Sequence, residues 1–238
     1  MLTLYPVVIT GPTEGGLGAQ TAISLAAGKP AALLLLGRTE AKSAKVIEEI
    51  KSISPSTKVQ FVQVDLQRFE SIRNAATEIN KSVEKIDVLI NNAGIMAVKE
   101  FTLTPEGIEA QFGSNHIGHF LLTNLLLPKL KEGSRIVNLT SHGHRYSHVQ
   151  LDDYNFQDGK TYDEWKAYGQ SKSANILFTV QLAIKLRAAG ITSYAVHPGV
   201  IQTNLGTHID PSAWPALIEK FASLGMINLS PFERKYAC

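Results

Sequence analysis

At 238 residues the chain can bury a core several elements deep without disulfides or metal, and it is short enough to be one domain. Hydrophobic residues at 44% and charged residues at 18% are those of an ordinary globular protein. A formal net charge of +2 excludes the strongly basic surface that nucleic acid or an anionic membrane demands.

The single cysteine, Cys238, can make neither an internal disulfide nor a zinc site, which points to a reducing, cytoplasmic setting. Met1 to Thr10 lacks a basic n-region and a small-residue cleavage site, so a strand is expected there rather than a signal peptide. The apolar run Leu33 to Leu36 is too short to cross a bilayer, and no transmembrane segment is expected.

In chain order, the first expected strand is Leu4 to Thr10, followed by a glycine cluster. A helix over Leu17 to Ala27 would end at Gly28 as a C-cap, and Ala32 to Gly37 reads as a second strand. Helical spacing over Glu40 to Ile53 stops before Pro55, and Val59 to Val64 is a third strand with Asp65 at its end. A helix from Phe69 to Val83 precedes a strand at Val88 to Ile90 and the loop Asn91 to Gly94. Pro105 to Leu130 reads as a long apolar helix, bent or interrupted near Gly113 and Gly118. Arg135 to Thr140 is a fifth strand, Asp163 to Ala189 a long helix, and Ile191 to Val196 a sixth strand. Strand and helix alternating at this spacing call for right-handed crossovers. The expectation is a single α/β domain, a three-layer, doubly wound parallel sheet of the Rossmann type, whose ligand sits beyond the carboxyl ends of the strands.

Thr10-Gly11-Pro12-Thr13-Glu14-Gly15-Gly16-Leu17-Gly18 joins the first strand to the first helix. Gly11 permits a tight turn, Gly16 lets a pyrophosphate approach the backbone, and Gly18 lets the helix pack closely; a glycine-rich turn without a ligand is the alternative. Where an NAD enzyme would carry a ribose-reading acid, the second strand ends in Gly37-Arg38-Thr39. The guanidinium fork of Arg38 suits a 2′-phosphate, which favours NADP over NAD. Lys42 and Lys45 either add to that charge or form a solvated face. Asp65 could accept from an adenine amino group or cap a helix. Asn92, Ala93 and Gly94 suit a backbone passing close to a cofactor ribose, or an ordinary turn.

Tyr168 and Lys172 are spaced to share one helix face. A phenol with a pKa of about 10 exchanges protons poorly at neutrality, and a neighbouring ammonium is expected to lower it. Taken alone, the pair is more often a packed aromatic beside a solvated lysine. Ser141, at the end of the fifth strand, can hold a substrate oxygen. Asn115, inside an apolar helix, is either a capped or exposed amide or a local break that holds a water for relay to Lys172. None of the seven histidines shows metal-ligand spacing, and a satisfied polar role is expected for His116 and His119.

With these residues in this order, the chain resembles the short-chain dehydrogenase/reductase family from Val7 to about Leu205. It is most similar to the retinol-dehydrogenase-like and WW-domain-oxidoreductase-like branch. Asn115-His116-Ile117-Gly118-His119-Phe120-Leu121-Leu122-Thr123, Ser171-Lys172-Ser173-Ala174-Asn175-Ile176-Leu177-Phe178 and Tyr194-Ala195-Val196-His197-Pro198-Gly199-Val200 carry that likeness. The resemblance implies an NADP-dependent oxidoreductase interconverting an alcohol and its carbonyl on a small lipophilic substrate. Tyr168 would be its acid–base, Lys172 the pKa modifier and ribose ligand, Ser141 the oxygen clamp and Asn115 the fourth member of the tetrad. It also implies that Val200 and Thr203 flank the nicotinamide amide, and that a homodimer forms through the two long helices.

Two departures stand out. The glycine loop is one residue longer than the family spacing, and Gly15 followed by Gly16 can absorb the insertion, since glycine tolerates positive φ. After Gly199 little chain remains and the tail lacks a strand pattern, so the last edge strand is expected to be missing, as in a truncated product. A catalytically weak NADP-binding or partner-binding protein is therefore the alternative expectation.

Overall fold

Strand β1 (Val7–Thr10) and strand β2 (Ala32–Gly37) are apolar at nearly every position because both faces of the sheet are covered. Val8, Leu34 and Leu36 point into one core layer, while Val7, Ile9, Leu33 and Leu35 point into the other. The computed structural model describes residues 6–199 together with 201, 203–206, 212 and 219. Strands β3 (Lys58–Gln63), β4 (Ile86–Asn91), β5 (Leu130–Leu139) and β6 (Thr192–Val196) complete a six-stranded sheet in the order β3-β2-β1-β4-β5-β6. Every pairing is parallel. The chain reverses its winding between β1 and β4, which opens a crevice at their carboxyl ends.

Helices α1 (Leu17–Ala26) and α2 (Ala44–Ile53) cover one face through Ala19, Ala22, Val46 and Ile50. Helix α3 (Phe69–Ser82) covers the other, with Ile72 and Ile79 buried among Leu122, Leu126, Phe178 and Leu182. The last four lie on α5 (Gly118–Leu126) and α6 (Glu164–Leu186). The three-layer Rossmann expectation therefore holds.

Several local expectations are corrected. Gly28 does not cap α1 in the left-handed conformation; its N–H bonds to Leu25 O, and the positive φ of 51° falls on Lys29. The segment from Pro105 is a turn, and helix begins only at α4 (Ala110–Phe112), where the Glu109 carboxylate accepts the N–H groups of Gln111 and Phe112. The interruption expected near Gly113 and Gly118 is a π-helical turn over Gly113–Ile117. Strand β5 starts five residues early, at Leu130, because its first half crosses a bulge opposite Ile86 and Val88. Polar Lys131 and Glu132 and the positive-φ Gly133 hide that strand from an apolar pattern.

Among the described residues, β6 pairs only with β5, and Tyr194 and Val196 are exposed. The expected absence of a further edge strand concerns chain that lies almost wholly outside the described residues, as do Cys238 and Val200.

Gly118 opens α5 against the loop after β3, and a Cβ there would fall on the Leu66 carbonyl and lie 2.9 Å from its Cβ. Gly118→Ala is expected to destabilise the fold by about 1–3 kcal/mol, the range for overpacking a tight contact. Urea unfolding measures it as a lower midpoint with an unchanged slope.

Candidate active site

The carboxyl ends of β1, β2, β4 and β5 and the segment after β6 enclose a cavity of about 740 Å³. Its outer end is lined by Gly11, Gly16, Leu17, Arg38, Lys42 and Asp65, its middle by Asn92, Ala93 and Gly94, and its inner end by Ser141, Tyr168 and Lys172. Thr203 lines it as well.

The glycine loop owes its shape to contacts within the chain. Gly11 has φ +71°, and a Cβ there would lie 3.0 Å from Ala93. A Cβ on Gly18 would strike the Gly11 carbonyl and lie 2.5 Å from the Asn92 amide, so Gly18 sits behind the cavity wall and sets how closely α1 approaches. Gly15 has φ +74°, the conformation expected to absorb the extra residue, and Asn204 Nδ2 donates to Glu14 O beside it at 2.8 Å. Helix α1 starts at Leu17 after Gly16 as N-cap residue, with no side-chain cap and no acid in its first turn. Its first N–H groups are therefore available to an anion, and the helix dipole favours one there.

The charges at the outer end divide. Lys45 bonds Glu14, which itself lines the cavity, at 2.9 Å, and this occupies the lysine. Arg38 and Lys42 line the cavity. Asp65 accepts from Gln67 N at 3.0 Å in a turn of its own and does not cap α3. Arg68 is the N-cap residue, and the N–H of Phe69 is taken by Glu106 at 2.7 Å. Asn92 turns its amide inward onto Thr10 O at 2.8 Å, so it braces the two strand ends.

At the inner end, Tyr168 and Lys172 project from the same face of α6, with Lys172 Nζ 5.4 Å from the centre of the phenol ring. The phenol is hydrogen-bonded to the Ser141 hydroxyl, which also accepts from Gly143 N at 3.1 Å. Burial pushes the phenol up to about 12, and the bond to Ser141 offsets only part of that rise. The expected lowering by Lys172 is thus overridden: both groups are buried, and desolvation opposes either charge. The same burial brings Lys172 down to about 8. Its ammonium donates to Leu139 O at 3.2 Å, as does Asn175 Nδ2 at 3.0 Å.

Asn115 lies in the π turn just behind the cavity wall. Its Oδ1 accepts from Ile95 N at 2.8 Å, and its Nδ2 donates to Ile95 O at 2.9 Å and Ser171 Oγ at 3.0 Å. It is fully buried, which rules out an exposed amide, while its bonds to Ile95 and Ser171 are those of a satisfied one. A phenol, a hydroxyl and an ammonium on one wall, with braced backbone behind them, can hold an oxygen and exchange a proton with it.

Thr10 was not legible as a site residue, because a β-branched hydroxyl is also an ordinary strand former. Its Oγ1 accepts from both Asn92 N and Ala93 N at 2.9 Å. His142 and His197, whose ring centres lie 4.1 Å apart, also line the cavity, with Tyr146 and Trp165. Among the described residues no cluster of potential metal ligands occurs, and no helix is long and apolar enough to cross a membrane.

The family model described as short chain dehydrogenase matches residues 6–155. Human retinol dehydrogenase 13 is 44% identical over 204 residues, covering 85% of this chain and 60% of that protein. Human retinol dehydrogenase 11 is 41% identical over 210 residues, covering 87% and 64%. A solved structure of an uncharacterized protein from Mycobacterium paratuberculosis superposes with a TM-score of 0.70 at 42% identity, covering 85% of this chain and 71% of that one. The chain thus spans about 60% of the length of the curated relatives it matches. With its strand order, its glycine-lined crevice and this match over most of the described residues, the chain belongs to the short chain dehydrogenase family.

Proposed function

We propose that the chain is an NADP-dependent oxidoreductase that interconverts a lipophilic alcohol and its carbonyl, with Tyr168 as acid–base. The observation that carries this reading is the convergence of Tyr168, Ser141 and Lys172 on the inner end of a cavity whose outer end is a glycine cradle. The cradle fits a dinucleotide: uncapped N–H groups of α1 stand ready for its phosphates, and Arg38 and Lys42 for a 2′-phosphate. Leu17, Asp65, Ala93, Gly94 and Thr203 line the path between, and Val200 is assigned by resemblance alone. When bound, the nicotinamide cofactor gives or takes the hydride.

The chain's own residues handle the proton and the oxygen. Ser141 holds the substrate oxygen beside Tyr168, whose phenol donates its proton in reduction and takes one in oxidation. Lys172 lends positive charge to the phenolate form, and Asn115 keeps the turn facing Lys172 in place for proton relay. Retinol dehydrogenases among the relatives support a lipophilic alcohol as substrate. Phe120, Leu177, Val180 and Ile184 leave an exposed apolar face on α5 and α6, which supports a homodimer through those helices.

Fluorescence titration with NADPH and NADH tests the cofactor assignment. Arg38→Ala is expected to weaken NADPH roughly 10- to 100-fold, the span of a lost charged hydrogen bond, and to leave NADH unchanged. Equal affinity of the unaltered chain for both would contradict it.

A further inference from the structure

Helix α5 carries one buried histidine whose every polar atom is engaged. His119 is 2% exposed, its Nδ1 lies 3.0 Å from the main-chain oxygen of Asn115, and its Nε2 lies 2.9 Å from Thr10 Oγ1. A carbonyl only accepts, so Nδ1 carries the proton. Burial holds the ring neutral at ordinary pH, bringing it down to about 4; Lys172 and His116 are the charged or titratable groups facing it, and both push the same way. Nε2 is then a bare acceptor, and the Thr10 hydroxyl donates to it. Both lone pairs of Thr10 Oγ1 are left for the N–H groups of Asn92 and Ala93, each at 2.9 Å.

The opposite tautomer fails at both ends. Nδ1 would set its lone pair against the Asn115 oxygen. The Thr10 oxygen would face three donors, with its own hydrogen turned to Ile90 O at 3.5 Å.

We propose that His119 is a positioning residue: it locks the Asn115 turn to the floor of the cofactor cradle through a one-way hydrogen-bond chain. The chain runs from the Asn92 and Ala93 amides to Thr10, from Thr10 to His119, and from His119 to the Asn115 carbonyl. The Asn115 side chain extends it to Ser171, whose hydroxyl donates to Tyr168 O at 2.7 Å. Displacing any link therefore moves the Asn-Ala-Gly floor of the cradle and the Tyr168 helix relative to each other. Asn115 in the π turn bonds Ser171 on α6, while His119, one turn on in α5, bonds Thr10 at the end of β1. The effect on rate rests on the oxidoreductase reading above; the tautomer and the effect on cofactor affinity do not require turnover.

Histidine ¹⁵N NMR on the full chain is expected to show His119 as the neutral Nδ1–H tautomer at pH 7, with no titration near 6.5. An Nε2–H ring, or a titration near 6.5, overturns the proposal whatever the turnover. His119→Phe keeps the ring volume and removes both hydrogen bonds. It is expected to weaken NADPH about tenfold and to lower kcat by about 10²-fold with KM for the carbonyl little changed, since misplacement of a catalytic frame acts on rate. His119→Gln, which offers one donor and one acceptor, is expected to recover part of both. Asn124→Ala, on the exposed face of α5, is expected to change neither. A His119→Phe protein whose NADPH affinity and kcat stay within twofold of the parent overturns the proposal. A parent chain that binds NADPH and shows the Nδ1–H ring but turns over no substrate counts against the oxidoreductase reading alone, and the affinity comparison still decides the role of His119.

Discussion

Tyr168→Phe is expected to lower turnover by about 10²–10⁴-fold, the range for a positioned general acid–base. NADPH affinity and melting temperature should stay near those of the parent. Only one oxygen is removed. The ring still packs under Gly143, where a Cβ would lie 2.7 Å from Tyr168 Cε1. The lost hydrogen bond to Ser141 leaves a hydroxyl that still accepts from Gly143 N and faces the cavity. Stability therefore changes little, and a large fall in rate reads on proton transfer. Steady-state NADPH oxidation with a panel of lipophilic aldehydes and ketones measures it, and unchanged turnover in the variant would remove Tyr168 from the mechanism.

Carbonyl reduction is expected to hold below pH 8 and to decline as pH rises through about 8, where Lys172 loses its proton. The sign follows from the roles. The phenol, held up at about 12, stays protonated across this range, so it remains able to donate. What disappears is the ammonium that stabilises the phenolate left behind. Lys172→Met should therefore lose about 10²-fold or more in rate at pH 7 and no longer show the decline.

Stability runs the other way. The folded-state value of Lys172 lies below that of the unfolded chain, so the folded form binds fewer protons between about 8 and 10.5. The parent gains stability across that window, and Lys172→Met should lose that gain. A variant that is no less stable and far less active would identify a charge buried for function. Denaturant midpoints and kcat taken together over pH 7–10 measure both.

The layers of the fold were legible because β2 is apolar on both faces and the helices keep their spacing. Alternation of strand and helix pointed to the parallel, doubly wound sheet, whereas strand order and register depend on pairings between distant segments and come from the structure. What escaped was local. Glu106 replaces Asp65 in satisfying the start of α3 from 37 residues away, and nothing in either residue's neighbourhood announces it. Strand β5 begins where buried Leu130 pairs with Ile86, and the polar, glycine-containing stretch that follows falls in a register shift that no apolar pattern marks.

At the site, the residue types of Tyr168, Lys172, Ser141 and Asn115 were legible, and so were the glycines at 11, 16 and 18. Their energetics were not. Whether an ammonium lowers a phenol depends on how deeply both are buried, and α6 buries them together. His119 was readable only as a satisfied histidine, since its partners Thr10 and Asn115 belong to one strand end and one helical turn that meet only in the fold.

The most direct test follows the hydride itself. Incubating the chain with NADPH carrying deuterium at the transferable position and a lipophilic carbonyl, then weighing the alcohol by mass spectrometry, reads transfer independently of absorbance. Alcohol heavier by one deuterium, formed by the parent chain and nearly absent with Tyr168→Phe, is the expected result. Tight NADPH binding with no labelled alcohol from any carbonyl in the panel would contradict the assignment and leave a cofactor-binding protein in its place.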